Sequence, residues 1–220
     1  MKIFLDTSDI NEISNLKDKV DGFTTNPTIM RKAGVIDYEK FCKEVLAEVG
    51  NKPVSFEVFA DDFGEMERQA RIISSWGRNV YVKIPITNTK NVITTNLIDR
   101  LSKDGIKINV TAIMLRTQLQ TISQATAPMI LSFFAGRIAD TGIDPKDIFT
   151  PTIHNTESLW ASPREVLNIY QAEQAGADII TVTPELFRKY EKMKGYDLNQ
   201  LSLDTVQMFY QDAKESGFKL

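Results

Sequence analysis

The sequence predicts one α/β domain over residues 1–220, a closed (β/α)8 barrel with an additional C-terminal helix. Three observations predict it. Short apolar runs alternate with longer amphipathic stretches, the pattern of parallel strands that are apolar on both faces and alternate with helices. Eight such units in 220 residues leave about 27 residues each, which suits a barrel at the short end of its size range. No linker, low-complexity tract or long charge run divides the chain. The alternative allowed by the same alternation is an open, doubly wound sheet.

The strand-like runs fall at residues 3–6, 22–26, 54–60, 80–85, 108–113, 129–134, 158–161 and 178–182. Between the third and fourth, residues 62–76 put Phe63, Met66, Ala70 and Ile73 on one helical stripe. Residues 91–103 do the same with Val92, Thr95, Leu97, Ile98 and Leu101, and residues 162–176 form a helix ending at a C-cap glycine, Gly176. The sixth unit is weakest: residues 143–157 include Pro145 and Pro151 and hold only a short or broken helix. Two helices follow the eighth strand, at 184–193 and 203–217. The second carries Leu203, Val206, Phe209, Tyr210 and Ala213 on one side, more apolar surface than its own barrel requires, and is expected at a subunit interface; the plainer reading folds it back on the barrel's own outer wall.

The scarce residues exclude whole classes of function. Only His154 and Cys42 represent their types, so one chain cannot assemble four His/Cys ligands or an internal disulfide, and no metal is expected. No G-x-S-x-G elbow, G-x-G fingerprint or P-loop occurs, which removes elbow-type serine hydrolases, Rossmann dehydrogenases and P-loop nucleotide enzymes. With 26 Lys+Arg against 29 Asp+Glu and a net charge of −3, nucleic acid is not an expected partner. No apolar run approaches the roughly 18 residues of a membrane span, and the N-terminus has no extended apolar stretch, so no membrane partner is expected. The single cysteine suits a reducing compartment, and a cytoplasmic location is expected.

Barrel enzymes carry their active sites at the C-terminal ends of the strands. Here those ends offer Asp6, Asn26, Glu57, Lys83, Asn109 with Thr111, Ser132 with Phe134, and Ser162. A polar residue where one strand meets the surface is ordinary, but strand after strand converging on one mouth marks a site. Lys83 stands out because apolar residues flank it in Val80-Tyr81-Val82-Lys83-Ile84-Pro85-Ile86. Burial favours a neutral amine over an ammonium, and a neutral amine forms Schiff bases with ketones and aldehydes. The plainer reading is an edge-strand or snorkelling lysine, and a closed parallel sheet exposes no edge.

Asp6 and Glu57 are the candidate acid–base groups, although Asp6, just before Thr7-Ser8-Asp9, also resembles part of a helix start. Ser162 and Glu165 have capping-box spacing with Pro163 at the first helical position, an ordinary helix start that also suits a phosphate. Arg164 and Arg137 would supply charged donor forks to it, though either alone is an ordinary surface residue.

These residues carry a resemblance. Leu5-Asp6-Thr7-Ser8-Asp9, Asp21-Gly22-Phe23-Thr24-Thr25-Asn26-Pro27 and Val82-Lys83-Ile84-Pro85-Ile86-Thr87 resemble the transaldolase family in its short bacterial and phage-borne form, over essentially the whole chain. The resemblance implies a TIM barrel with Lys83 as the Schiff-base lysine and Asp6 as acid–base at the substrate hydroxyls. It implies a catalytic water held by Glu57 and Thr111, and substrate contacts from Asn26, Asn109, Ser132 and Phe134. Arg137, Ser162 and Arg164 would bind phosphate.

Four departures concern loop shape and phosphate geometry: Phe23 after Asp-Gly, Thr89-Lys90 in place of a glycine, Pro163 in place of an aromatic residue, and the shortened sixth helix. The same short family includes fructose-6-phosphate aldolases, which have glutamine and tyrosine at the positions matching Glu57 and Phe134. The implied activity is therefore transaldolase: sedoheptulose 7-phosphate and glyceraldehyde 3-phosphate exchanging a dihydroxyacetone unit to give erythrose 4-phosphate and fructose 6-phosphate, in the pentose phosphate pathway. The alternatives are the aldolase and a non-catalytic sugar-phosphate-binding barrel, the latter disfavoured by the intact Asp6, Glu57 and Lys83 set. No cofactor is implied. The implied partners are sugar phosphates and further copies of the chain, as a pentamer or decamer, in the cytoplasm of a bacterium or of a phage host.

Overall fold

The computed structural model describes residues 1–119, 122, 126–147, 149 and 155–219. Among them, eight strands close into a barrel in chain order: β1 (Lys2–Asp6), β2 (Gly22–Thr24), β3 (Val54–Glu57), β4 (Val80–Pro85), β5 (Ile108–Ile113), β6 (Met129–Phe133), β7 (Thr156–Trp160) and β8 (Ile179–Val182). β8 pairs back onto β1, with Ile3 opposite Ile180 and Leu5 opposite Val182, so the open-sheet alternative falls. The surrounding helices are α1 (Ile10–Leu16), α2 (Pro27–Lys32), α3 (Tyr38–Val49), α4 (Phe63–Ser75), α5 (Thr95–Lys103), α6 (Arg116–Leu119), α7 (Ala135–Ala139), α8 (Leu167–Gln174), α9 (Pro184–Met193) and α10 (Leu198–Ser216).

Strand side chains alternate between two cores. Leu5, Phe23, Val54, Phe56, Val82, Ile84 and Val110 point outward into the large cluster shared with the helices, including Met66, Ala70 and Ile73 of α4. Phe4, Ile130, Leu159 and Ile179 point inward and plug the barrel. Gly22 is required beside that plug, because a Cβ there would lie 2.6 Å from the Phe4 ring. Below the plug Lys2 pairs with Glu157 at 2.5 Å, and above it the inward positions turn polar. The apolar plug thus closes the barrel floor and leaves a polar mouth at the C-terminal end.

Several element bounds differ from the sequence expectation, each for a local reason. β3 stops at Glu57 because the Phe59 and Ala60 amides donate to Gln69 Oε1 at 2.9 and 3.1 Å instead of to a neighbouring strand. α5 begins at Thr95, after a turn in which Thr87 bridges Ile93. The capping box expected at Ser162 does not form. Ser162 adopts a left-handed φ of 64°, the Arg164 and Glu165 amides donate to Asn168 Oδ1 at 2.7 and 3.1 Å, and α8 starts only at Leu167. In the sixth unit Pro145–Asp147 form one 3-10 turn, while Pro151 and His154 lie outside the described residues. α10 begins at Leu198, ahead of the expected residue 203, because the Asp197 carboxylate caps it by accepting from the Gln200 amide at 2.9 Å.

Candidate active site

A cavity of about 550 Å³ opens at the C-terminal end of the barrel. Its lining includes nine of the eleven residues singled out from the sequence: Asp6, Asn26, Glu57, Lys83, Ser132, Phe134, Arg137, Ser162 and Arg164. Asn109 and Thr111 are fully buried beside it and do not line it. Asn109 is linked to the cavity wall, since it accepts from Ser132 Oγ at 2.7 Å and donates through Nδ2 to Ser55 Oγ at 3.0 Å. Thr111 precedes a bulge in β5 where Ala112 has a φ of 62°, and its hydroxyl is buried with no hydrogen-bond partner among the described residues.

Lys83 is the centre of the arrangement. Register places it opposite Glu57 on β3 and Asn109 on β5, so three polar side chains stand side by side on neighbouring strands. Only 6% of Lys83 is exposed; its Nζ lies 3.3 Å from Glu57 Oε2 and donates to the Thr25 carbonyl at 3.1 Å. The end of β3 is held in turn by the Tyr38 hydroxyl, which donates to the Glu57 carbonyl at 2.6 Å. Asp6 accepts from Thr24 Oγ1 at 2.7 Å. Burial pushes the Asp6 carboxyl above the ordinary aspartate range, opposed first by the nearby Lys83 charge and then by the Thr24 hydrogen bond.

The opposite rim is cationic. The Arg137 guanidinium lies over the Phe134 ring, 5.2 Å from its centroid. Arg164 pairs with Asp140 at 2.5 Å, which holds the Asp140 carboxyl below the usual range. Gly136 brings this rim together: its amide donates to the Ala161 carbonyl at 3.2 Å, and a Cβ would meet the Ser162 carbonyl oxygen at 1.6 Å. Lys32, from α2, also lines the cavity.

Sequence reading missed Thr24, Thr181, Thr183 and Lys32 in this lining. Thr181 had a usable signal: β8 was the one strand left without a polar candidate, and Thr181 is the polar residue within its apolar run.

The closed barrel, its polar mouth and the single buried lysine at the mouth define a (β/α)8-barrel protein. The same fold is shared with 3-hexulose-6-phosphate synthase from Salmonella typhimurium (TM-score 0.59, 16% identity, 87% of this chain and 97% of that one). It is shared also with dihydrodipicolinate synthase from Rhodopseudomonas palustris (TM-score 0.56, 14% identity, 96% of this chain and 79% of that one). More specifically, the chain belongs to the Transaldolase/Fructose-6-phosphate aldolase family, which matches residues 3–220. It is 38% identical over 191 residues to a probable transaldolase of Dehalococcoides mccartyi, covering 83% of this chain and 86% of that protein. Over 229 aligned positions, the full length of both chains, it is 34% identical to a probable transaldolase of a Chelativorans species. Among the described residues no helix is long and apolar enough to cross a membrane.

Proposed function

We propose that this protein is a transaldolase that works through a Schiff base on Lys83. The observation that carries the reading is the placement of the Lys83 amine, buried at the barrel mouth 3.3 Å from the Glu57 carboxylate. Glu57 receives the ammonium proton, and the free amine adds to C2 of a ketose phosphate such as sedoheptulose 7-phosphate or fructose 6-phosphate. Protons moved by Glu57, with a water held against Thr111, release the C2 oxygen as water and leave an iminium ion. That ion takes up the electrons of the C3–C4 bond while Asp6 accepts the C4 hydroxyl proton.

An aldose phosphate departs, leaving a dihydroxyacetone enamine on Lys83. The enamine carbon then attacks the aldehyde of the acceptor, Asp6 returns its proton, and water frees the new ketose phosphate. Ser132, held by Asn109, and Asn26 contact the substrate hydroxyls. Arg137, Arg164 and the Ser162 loop hold the phosphate at the cationic rim.

Transfer is favoured over simple cleavage by Phe134, whose ring has no hydroxyl with which to protonate the enamine. The enamine therefore waits for an aldehyde. We place the enzyme in the pentose phosphate pathway of the cytoplasm, as a homo-oligomer assembled through α10; paired pentameric rings are the assembly the family resemblance implies.

Borohydride reduction in the presence of fructose 6-phosphate, followed by peptide mass mapping, tests the reading. A reduced three-carbon adduct on Lys83 is expected, with net turnover requiring an added aldose phosphate. An adduct on another lysine, or none, overturns the mechanism, and steady turnover without an acceptor makes the protein an aldolase.

A further inference from the structure

Thr24 Oγ1 stands 2.7 Å from Asp6 Oδ1 and 2.6 Å from Thr181 Oγ1. The three residues lie on β2, β1 and β8, and β1 runs between the other two. Both threonines are almost completely buried and both line the cavity. Each hydroxyl has one proton to give, and an ionised carboxylate only accepts. With Asp6 ionised, Thr24 must spend its proton on Oδ1, so Thr181 must donate to Thr24. Asp6 Oδ2 is then left for the substrate.

We infer that Thr181 and Thr24 form a hydroxyl relay, Thr181 to Thr24 to Asp6, that orients Asp6 and keeps it ionised for the proton transfer at C4. Both threonines are thereby positioning residues. The inference rests on Asp6 being the proton acceptor in the proposed reaction.

The charged groups sharing the cavity with Asp6 are Lys83 from β4, Glu57 from β3, Lys32 from α2, and Arg137 and Arg164 on the far rim; β2 and β8 place no charged side chain there. Lys83 is the cation that acts on Asp6 directly. Its charge changes through the cycle, from ammonium to amine to iminium to enamine. A hydroxyl dipole does not change in that way. The relay therefore supplies a constant stabilisation of the carboxylate against burial, including at stages where the lysine nitrogen is neutral.

The test is the pH profile of kcat for Thr24→Val, Thr24→Ser and Thr181→Val, with Lys83 trapping by borohydride and fructose 6-phosphate measured in parallel. Thr24→Val is expected to move the acid limb upward by about one pH unit, the effect of losing a hydrogen bond to a charged group. Thr181→Val moves it the same way by less, and Thr24→Ser restores the wild-type profile. Trapping persists in all three, because Schiff-base formation precedes the Asp6 step. Should Thr24→Val fail to fold, Thr181→Val and Thr24→Ser carry the comparison. Acid limbs of trapping-competent valine variants that coincide with wild type overturn the relay. Failure of the unmodified protein to trap on Lys83 overturns the functional reading instead.

Discussion

Lys83 and Asp6 line the same cavity, and substitutions at the two have different signatures. Lys83→Ala removes the proposed nucleophile and is expected to abolish both trapping and turnover; wild-type-like turnover would sink the Schiff-base mechanism. Lys83→Arg should fail as well, because a guanidinium stays protonated and cannot attack. Asp6→Asn should cut kcat by roughly 10²–10⁴, the usual worth of a positioned acid–base group. It should also stabilise the fold at neutral pH. Burial raises the folded-state pKa of Asp6, so its contribution to stability is present under acid conditions and is lost as pH rises through that raised value. Thermal melts at pH 7 should therefore place Asp6→Asn above wild type, with the difference closing as the pH falls toward about 4. A lower melting temperature at pH 7 would contradict the assignment of burial as the dominant influence on Asp6. Lys83 was legible in the sequence because a lysine amid apolar strand residues has no ordinary reason to be there. Thr24 and Thr181 were not, because threonine is common in strands for its β-branched shape, and nothing local distinguishes a hydroxyl in a relay from one that merely fits.

The proposed phosphate rim is assembled from elements that the sequence separates. α7 follows β6, the Ser162 loop follows β7, and they meet at Gly136 and at the Arg164–Asp140 pair. Arg137→Ala or Arg164→Ala should raise KM for phosphorylated substrates by roughly 10- to 100-fold, the worth of a charge-assisted hydrogen bond. The effect on unphosphorylated dihydroxyacetone should be much smaller, and equal losses on both substrate kinds would remove these residues from the phosphate site. Gly136→Ala should imitate the arginine variants while leaving both guanidinium groups in place, since the added methyl must push the Ser162 loop away. Overpacking of that kind costs about 1–3 kcal/mol, and unchanged kinetics and melting would show that the two elements do not need this contact. This rim is also where local sequence reading failed. Ser162-x-x-Glu165 has capping-box spacing, yet Asn168 takes the amides that the box would have used, and the left-handed turn at Ser162 sets the start of α8 later. The strand runs, by contrast, were placed on the correct elements, because burial on both faces leaves an unbroken apolar signal that tertiary contacts do not override.

At the scale of the whole molecule, closure of the barrel was legible because eight doubly buried strands in chain order leave no exposed edge only when the last meets the first. The outer surface raises a different requirement. α10 is 19 residues long and none of them is buried. Val206, Phe209 and Tyr210 are 61%, 62% and 64% exposed, and Leu203 and Met208 add to the same helix. An isolated helix of this length is marginal in water, and most helical stability comes from packing an apolar face. The described barrel leaves the Val206, Phe209 and Tyr210 face exposed, and we propose that a neighbouring copy covers it, since closed symmetric assembly would satisfy every subunit alike. Light scattering at micromolar concentration should report a multiple of the 24.9 kDa chain, and a monomer would refute the assembly. A chain cut after Gly195 should lose the assembly while its barrel, whose strands and inner plug all precede the cut, retains its fold by circular dichroism. If the shortened chain still assembles to the full size, α10 is not the interface, and its apolar face needs another explanation.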